Sequence, residues 1–197
     1  AGVRKHFDNH AYSNATFDDL LGALEEASGR DLSNWAEQWL RTTGVSRLYP
    51  EISDTFTVVQ ESPVLRDHRV RVGLYSLIDG TVQRTHQVEL DITGERTEIP
   101  EFSGVKHDLA LVNDEDLTYC LMGLDAEQQQ FAVEHLGQIE DSLAKTLVWS
   151  SLWESVRDGR LPARKYVELV AREVGPDMQE RIAAQATEAV KRYVDPA

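Results

Sequence analysis

The chain has 197 residues, 41% of them hydrophobic, which is enough for one large packed unit or two to three small ones. Its 34 acidic and 20 basic residues give a formal charge of −14, a field that repels polyanions and excludes nucleic acid as an expected partner. There is no run of about eighteen apolar residues to form a membrane helix, and Cys120 stands alone, so a reducing, cytoplasmic setting without a membrane partner is expected.

The first segment, 3–11, is polar and does not read as a signal peptide. Ala1-Gly2 opens abruptly inside a helical pattern, so a piece cut from a longer protein is expected. Val3, Phe7 and Ala11 share one helical face. His6 and His10 stand four apart, the spacing that brings two imidazoles onto one metal. In HFDNH, however, Phe7 occupies the place of the general-base glutamate of His-Glu-x-x-His, and no third ligand is evident nearby. Two solvated histidines on a helix surface are expected instead.

Thr16 and Asp19 form a short capping box. Leu20, Leu21, Leu24 and Ala27 follow as an apolar stripe that ends at Ser28-Gly29. Asp31 and Asn34 restart the chain, Leu32, Trp35, Ala36, Trp39 and Leu40 form a second stripe, and Gly44 stops it. Helices are predicted over 18–27 and 34–41.

Residues 47–50 read as a linker. From Thr55 the period becomes two. Residues 55–59 read as a strand, which Ser62-Pro63 breaks. Val70, Val72, Leu74 and Ile78 alternate with Arg69, Arg71 and Tyr75, and Asp79-Gly80 signals a two-residue hairpin. On the return strand Val82, Val88, Leu90 and Ile92 share a face, opposite Gln83, Thr85, Gln87 and Glu89. Residues 95–100 and 108–112 add two more strands, with bends at Gly94 and Gly104. A small β-sandwich with almost no helix over 55–112 is predicted.

His68, His86 and His107 fit no metal spacing, and each is expected to be a hydrogen-bonded structural residue, His86 on the inward alternation. Asp114, Glu115 and Asp116 lack the spacing and glycine of a calcium loop, so a solvated turn is expected. Cys120 reads as a small buried hydrophobe near a strand end rather than a nucleophile.

From Asp125 the pattern is helical. Asp125 and Gln128 form a capping pair, with Phe131 and Leu136 as a stripe. Residues 139–158 are apolar on more than one side through Leu143, Leu147, Trp149, Leu152, Trp153 and Val156, the mark of a helix packed between neighbours. Pro162 opens a helix carrying Tyr166, Val167, Val170 and Val174. Gly175-Pro176 separates it from a last helix, capped by Asp177 and Glu180, whose face is Met178, Ile182, Ala186, Val190 and Tyr193. Helices are predicted over 142–156, 164–174 and 178–190.

HAYSNATFDDLLGALEEASGRDLSNWAEQWL closely resembles the end of the catalytic domain in aminopeptidase N-type zinc metallopeptidases of the gluzincin group, in their actinobacterial flavour, with Ser13 in place of the usual glycine of the turn. LALVNDEDLTYCLMGLD resembles that family's exit from its small β domain, and IEDSLAKTLVWSSLWESVRDGRLPARKYVELV the start of its C-terminal helical domain.

The resemblance implies a mixed α and β, multi-domain chain: 1–46 as the last helices of a catalytic domain, 47–121 as an antiparallel β-sandwich, and 122–197 as the opening of a superhelical array. It implies a parent enzyme that releases N-terminal residues from peptides with zinc held by His-Glu-x-x-His and a downstream glutamate. None of those motifs occurs here, so no catalytic or metal residue is assigned, zinc is expected only in the full-length enzyme, and the substrate-binding residues are unknown. The expected partners are peptides, for the full enzyme, and the remainder of the catalytic domain. Self-association through residues 3–44 is expected as well, because Val3, Phe7, Leu20, Leu24, Trp35 and Trp39 need cover. The other reading is an independent β-sandwich and helical-array module that binds proteins.

Overall fold

A computed structural model describes residues 1–173, 175 and 180–193. Three short helices open the chain: α1 (Gly2–Asn9), α2 (Phe17–Ser28) and α3 (Ser33–Leu40). At the start of α2 the Thr16 hydroxyl accepts from the Asp19 amide while the Asp19 carboxylate accepts from the Thr16 amide, and Gly29 ends the helix at φ 68°. These helices approach closely through small residues. A Cβ on Gly2 would lie 3.0 Å from the Leu24 Cα. Gly2, Ala23 and Ala36 are their only fully buried residues among those described. The larger apolar side chains divide: Leu20, Leu24 and Trp39 are half-buried, whereas Phe7 and Trp35 stay 68% and 41% exposed.

Seven strands follow: β1 (Arg47–Ile52), β2 (Phe56–Glu61), β3 (His68–Ile78), β4 (Thr81–Ile92), β5 (Arg96–Glu98), β6 (Leu109–Asp114) and β7 (Leu121–Met122). They form a sheet ordered β5-β2-β1-β7 and a second ordered β4-β3-β6. All pairings are antiparallel except β1 with β7. Leu48, Phe56 and Val58 from the first sheet meet Val70, Val72, Leu74, Ile92, Ala110 and Val112 from the second in one core. The hairpin at Asp79-Gly80 has φ of 51° and 84°, the left-handed pair that a two-residue turn of this twist requires.

Three local expectations change. Residues 47–50 are strand, not linker: Leu48 and Pro50 are buried on alternate positions, and Pro50 lies beyond the two-residue pairing of β7 at Arg47 and Leu48, so its missing N–H breaks no bond on that side. Residues 95–100 are strand only over β5, after which Pro100–Phe102 turns as a 3-10 helix. The return strand does not keep one face: His86 is inward as expected, opposite Leu74 with its ring 6.5 Å from that of Phe102, although it stays exposed, and just beyond it the register skips from Leu74↔His86 to Tyr75↔Arg84 and leaves Thr85 as the extra residue of a bulge. The bulge reverses the alternation: Val82 enters the helical core, whereas Val88, Leu90 and Ile92 face the core between the sheets.

The last segment comprises α4 (Ala126–His135), α5 (Ser142–Arg157), α6 (Ala163–Glu173) and α7 (Glu180–Tyr193). Asp125 and Asp141 cap α4 and α5 through the amides of Gln128 and Ala144. Ile139 precedes α5 rather than opening it and bridges to Val82. On α7, Ile182 and Ala189 are buried while Val190 and Tyr193 are exposed, so the packed face is rotated from the expected one. The expected contributions of Val174, Asp177 and Met178 lie outside the described residues. Helix α5 is buried on several sides: Val148, Trp149, Leu152 and Trp153 join the helical core, and Leu147 reaches the core between the sheets. Leu152→Ala should therefore destabilise the chain by about 2–5 kcal/mol, read as a lower urea midpoint. A loss below ~1 kcal/mol would show that α5 is not a packed centre.

Candidate functional site

Arg66 precedes β3 and is 3% exposed. Its guanidinium reaches back to α3: Nε donates to the Gln38 carbonyl at 2.8 Å, and Nη2 donates to the Thr42 hydroxyl at 3.0 Å and the Thr43 carbonyl at 3.3 Å. Nη1 donates to the Ser62 hydroxyl at 3.3 Å. The cation also lies 5.6 Å from the Trp39 ring centroid. No carboxylate pairs with it among the described residues. The negative end of α3 and its unpaired carbonyls do that work instead. Beside it, His68 is 1% exposed, its ring 5.0 Å from that of Trp39 and edge-on to it. His68 Nδ1 and the Thr118 hydroxyl lie 2.9 Å apart, and burial followed by the Arg66 charge lowers the imidazole pKa to about 4. This seat joins the opening helices to the sheets.

A second constellation lies on the face of the β4-β3-β6 sheet. Asp114, 1% exposed, accepts from the Tyr75 hydroxyl at 2.7 Å, Arg84 Nη1 at 2.8 Å and Gln87 Nε2 at 3.1 Å. Burial, then the hydrogen bond to Asp114, raises the Tyr75 phenol well above its ordinary value. The Asp114 hydrogen bond likewise keeps Arg84 charged. Glu115 extends the cluster to Arg84 and Arg71, and Glu89 joins Arg71 to Arg69. The carboxylate occupies the space over Gly73, where a Cβ would meet Asp114 Oδ2 at 2.2 Å. The acidic run is thus not a solvated turn at its first residue: Asp114 is the buried end of β6, with Glu115 and Asp116 turning at φ 68° and 53°. The sequence carries no signal for this site: Asp114 pairs with Arg71 on β3, and its carboxylate reaches Gly73 and Tyr75 only because the register shifts between Arg71 and Gly73.

The remaining candidates are scattered. The rings of His6 and His10 lie 5.2 Å apart and are half-buried rather than solvated. His107 Nδ1 bonds to the Val105 carbonyl at 2.8 Å, and His86 Nδ1 to the Thr85 hydroxyl at 3.0 Å. Cys120 is partly exposed, and burial pushes its thiol up to about 12, far from a thiolate at neutral pH. Among the described residues, no group of three or more His, Cys, Asp or Glu side chains is placed to hold a metal. Nor, among those residues, is any helix long and apolar enough to cross a membrane.

Residues 109–197 match the family model of the ERAP1-like C-terminal domain. Aminopeptidase N of Streptomyces lividans is 37% identical over 213 residues, covering 98% of this chain and 25% of the relative. Aminopeptidase N of Lactococcus lactis subsp. lactis is 23% identical over 201 residues, covering 98% of the chain and 23% of the relative. The chain is thus similar over nearly its whole length to proteins named aminopeptidase N. It spans about a quarter of the length of the curated relatives it matches.

The two constellations are built from hydrogen bonds and ion pairs, so replacing their residues should change stability. Gly73→Ala should cost about 1–3 kcal/mol by driving a methyl into Asp114. Asp114→Ala should cost about as much by leaving the Tyr75 hydroxyl unpaired. Since the alanine at 114 vacates the space the methyl needs, the double variant should lose less than the sum of the two in urea unfolding. Strict additivity would place the two residues out of contact.

Proposed function

We propose that the chain is a non-catalytic part of a zinc-dependent, cytoplasmic aminopeptidase that removes N-terminal residues from peptides. In this reading residues 1–46 close the catalytic domain, 47–121 form a β-sandwich, and 122–197 open the helical array. Its work is structural, holding the walls of the peptide cleft at a fixed spacing. The observation that carries the reading is the extent of the similarity: 98% of the chain aligns, yet only 25% of the relative is covered. The absence of His-Glu-x-x-His from the sequence fits the same division of labour, with zinc and its activated water supplied elsewhere in the full enzyme.

The purified chain should release no arylamine from aminoacyl-arylamides, with or without added zinc. Zinc-dependent turnover that disappears on replacing His6 or His10 would overturn this assignment.

The exposed Val3, Phe7 and Trp35 fit cover by the remainder of the catalytic domain, or by a second copy when the chain is alone. Sedimentation of the isolated chain should show association that Phe7→Glu weakens. A monomer at all concentrations, with residues 3–44 as protected from hydrogen exchange as α5, would mark those helices as self-sufficient.

A further inference from the structure

We propose that the seat of α3 on the sheets is a pH-sensitive latch, in which protonation of His68 releases the α2–α3 hairpin. The geometry leaves a second proton on this ring no place. His68 Nδ1 is engaged with Thr118, which is itself held because its amide donates to Asn113 Oδ1 and its carbonyl accepts from Asn113 Nδ2. His68 Nε2 is buried and has no partner, and neither has the buried indole nitrogen of Trp39 on the facing helix. In either neutral tautomer one ring nitrogen is therefore idle, at the modest cost of an unmade bond. The protonated ring would carry two N–H donors, one of them facing a wall that offers no acceptor.

The charges around the ring act in the same direction on balance. From α3 the ring meets Trp39, which carries no charge, and from β4 it lies opposite Ile92. From the 62–67 segment come Arg66, a buried cation that disfavours a second one, and Asp67, an exposed anion that favours it and acts more weakly. From the 113–118 loop comes Thr118, with Asp116 behind it bonded to Asn113. Arg66 is the same residue that ties the last carbonyls of α3 to the sheets. A cation at His68 thus opposes the group that holds the helix.

The sign follows from the two states. Docked, the ring takes up its proton at about 4, and undocked it has the ordinary value of 6.5. The undocked state binds more protons between those values, so docking is fully favoured above about pH 6.5 and weakens as pH falls toward 4. Below that both states are protonated and the effect levels off. The opening equilibrium should shift on the order of tenfold per pH unit through the window.

Hydrogen exchange of residues 33–43, corrected for the intrinsic rate at each pH, reads the latch directly in the whole chain. Between pH 7 and 4.5 the wild type should lose protection there by roughly one to two orders of magnitude relative to residues 144–156 of α5. His68→Gln keeps a side-chain partner for Thr118 but cannot titrate, and its profile should be flat. Equal loss in that variant would assign the effect to carboxylates and overturn the proposal, as would a wild type whose protection does not change. If the variant does not fold, the His68 ring resonance of the wild type decides. Titration far below 6.5, in step with the exchange, upholds the latch. Titration near 6.5 with α3 still protected sinks it.

Discussion

One strand cannot move without disturbing both hydrophobic cores. On β6, Leu109 and Leu111 point into the helical core while Ala110 and Val112 point into the core between the sheets, and every residue of the strand is buried. Helix α5 makes the same double commitment, with Leu147 on the sheet side and Leu152 on the helical side. A strand buried on both faces has no solvent side to tolerate a register slip, since a slip by one residue exchanges its two cores. The match to the ERAP1-like C-terminal domain begins at residue 109, the first residue of this strand, so the family model and the packing draw the strand together with the helices.

The opening helices are attached by other means. Their own core consists of Gly2, Ala23 and Ala36, which bury little apolar area. Attachment rests on a polar device: Arg66 caps α3 from the sheets, with Trp39 against its guanidinium. The chain therefore combines an apolar weld at one end with a hydrogen-bonded seat at the other. Such a seat is directional, and its strength depends on charge state in a way that the packing around β6 does not.

Much of this was legible in the residues. Helix periods, the Thr16 capping box and the Asp79-Gly80 hairpin are local signals, and each appears where the sequence places it. What the sequence concealed depends on pairing. Pro50 masked β1, because a proline in a strand is tolerated only where no neighbour needs its N–H, and that depends on how far β7 extends. The Thr85 bulge moved Val82 off the face it was expected to share with Val88, Leu90 and Ile92, and no single-strand alternation shows a bulge. Asp114 looked like part of an exposed acidic run, although its neighbours in space are Tyr75, Arg84 and Gln87, all distant in sequence. Arg66 gave no signal at all: a buried arginine served by helix carbonyls has no carboxylate partner to search for.

The same Thr85 bulge bears on behaviour in concentrated solution. β4 is a twelve-residue strand at the open edge of its sheet, a length that would otherwise template the addition of another chain. The extra residue interrupts the row of amides and carbonyls that an incoming strand would have to match. Arg84, Glu89 and Asp91 along the same strand place charges where a flat neighbour would need to lie. The irregularity that defeats a simple reading of the strand thus also guards this long sheet edge against aggregation.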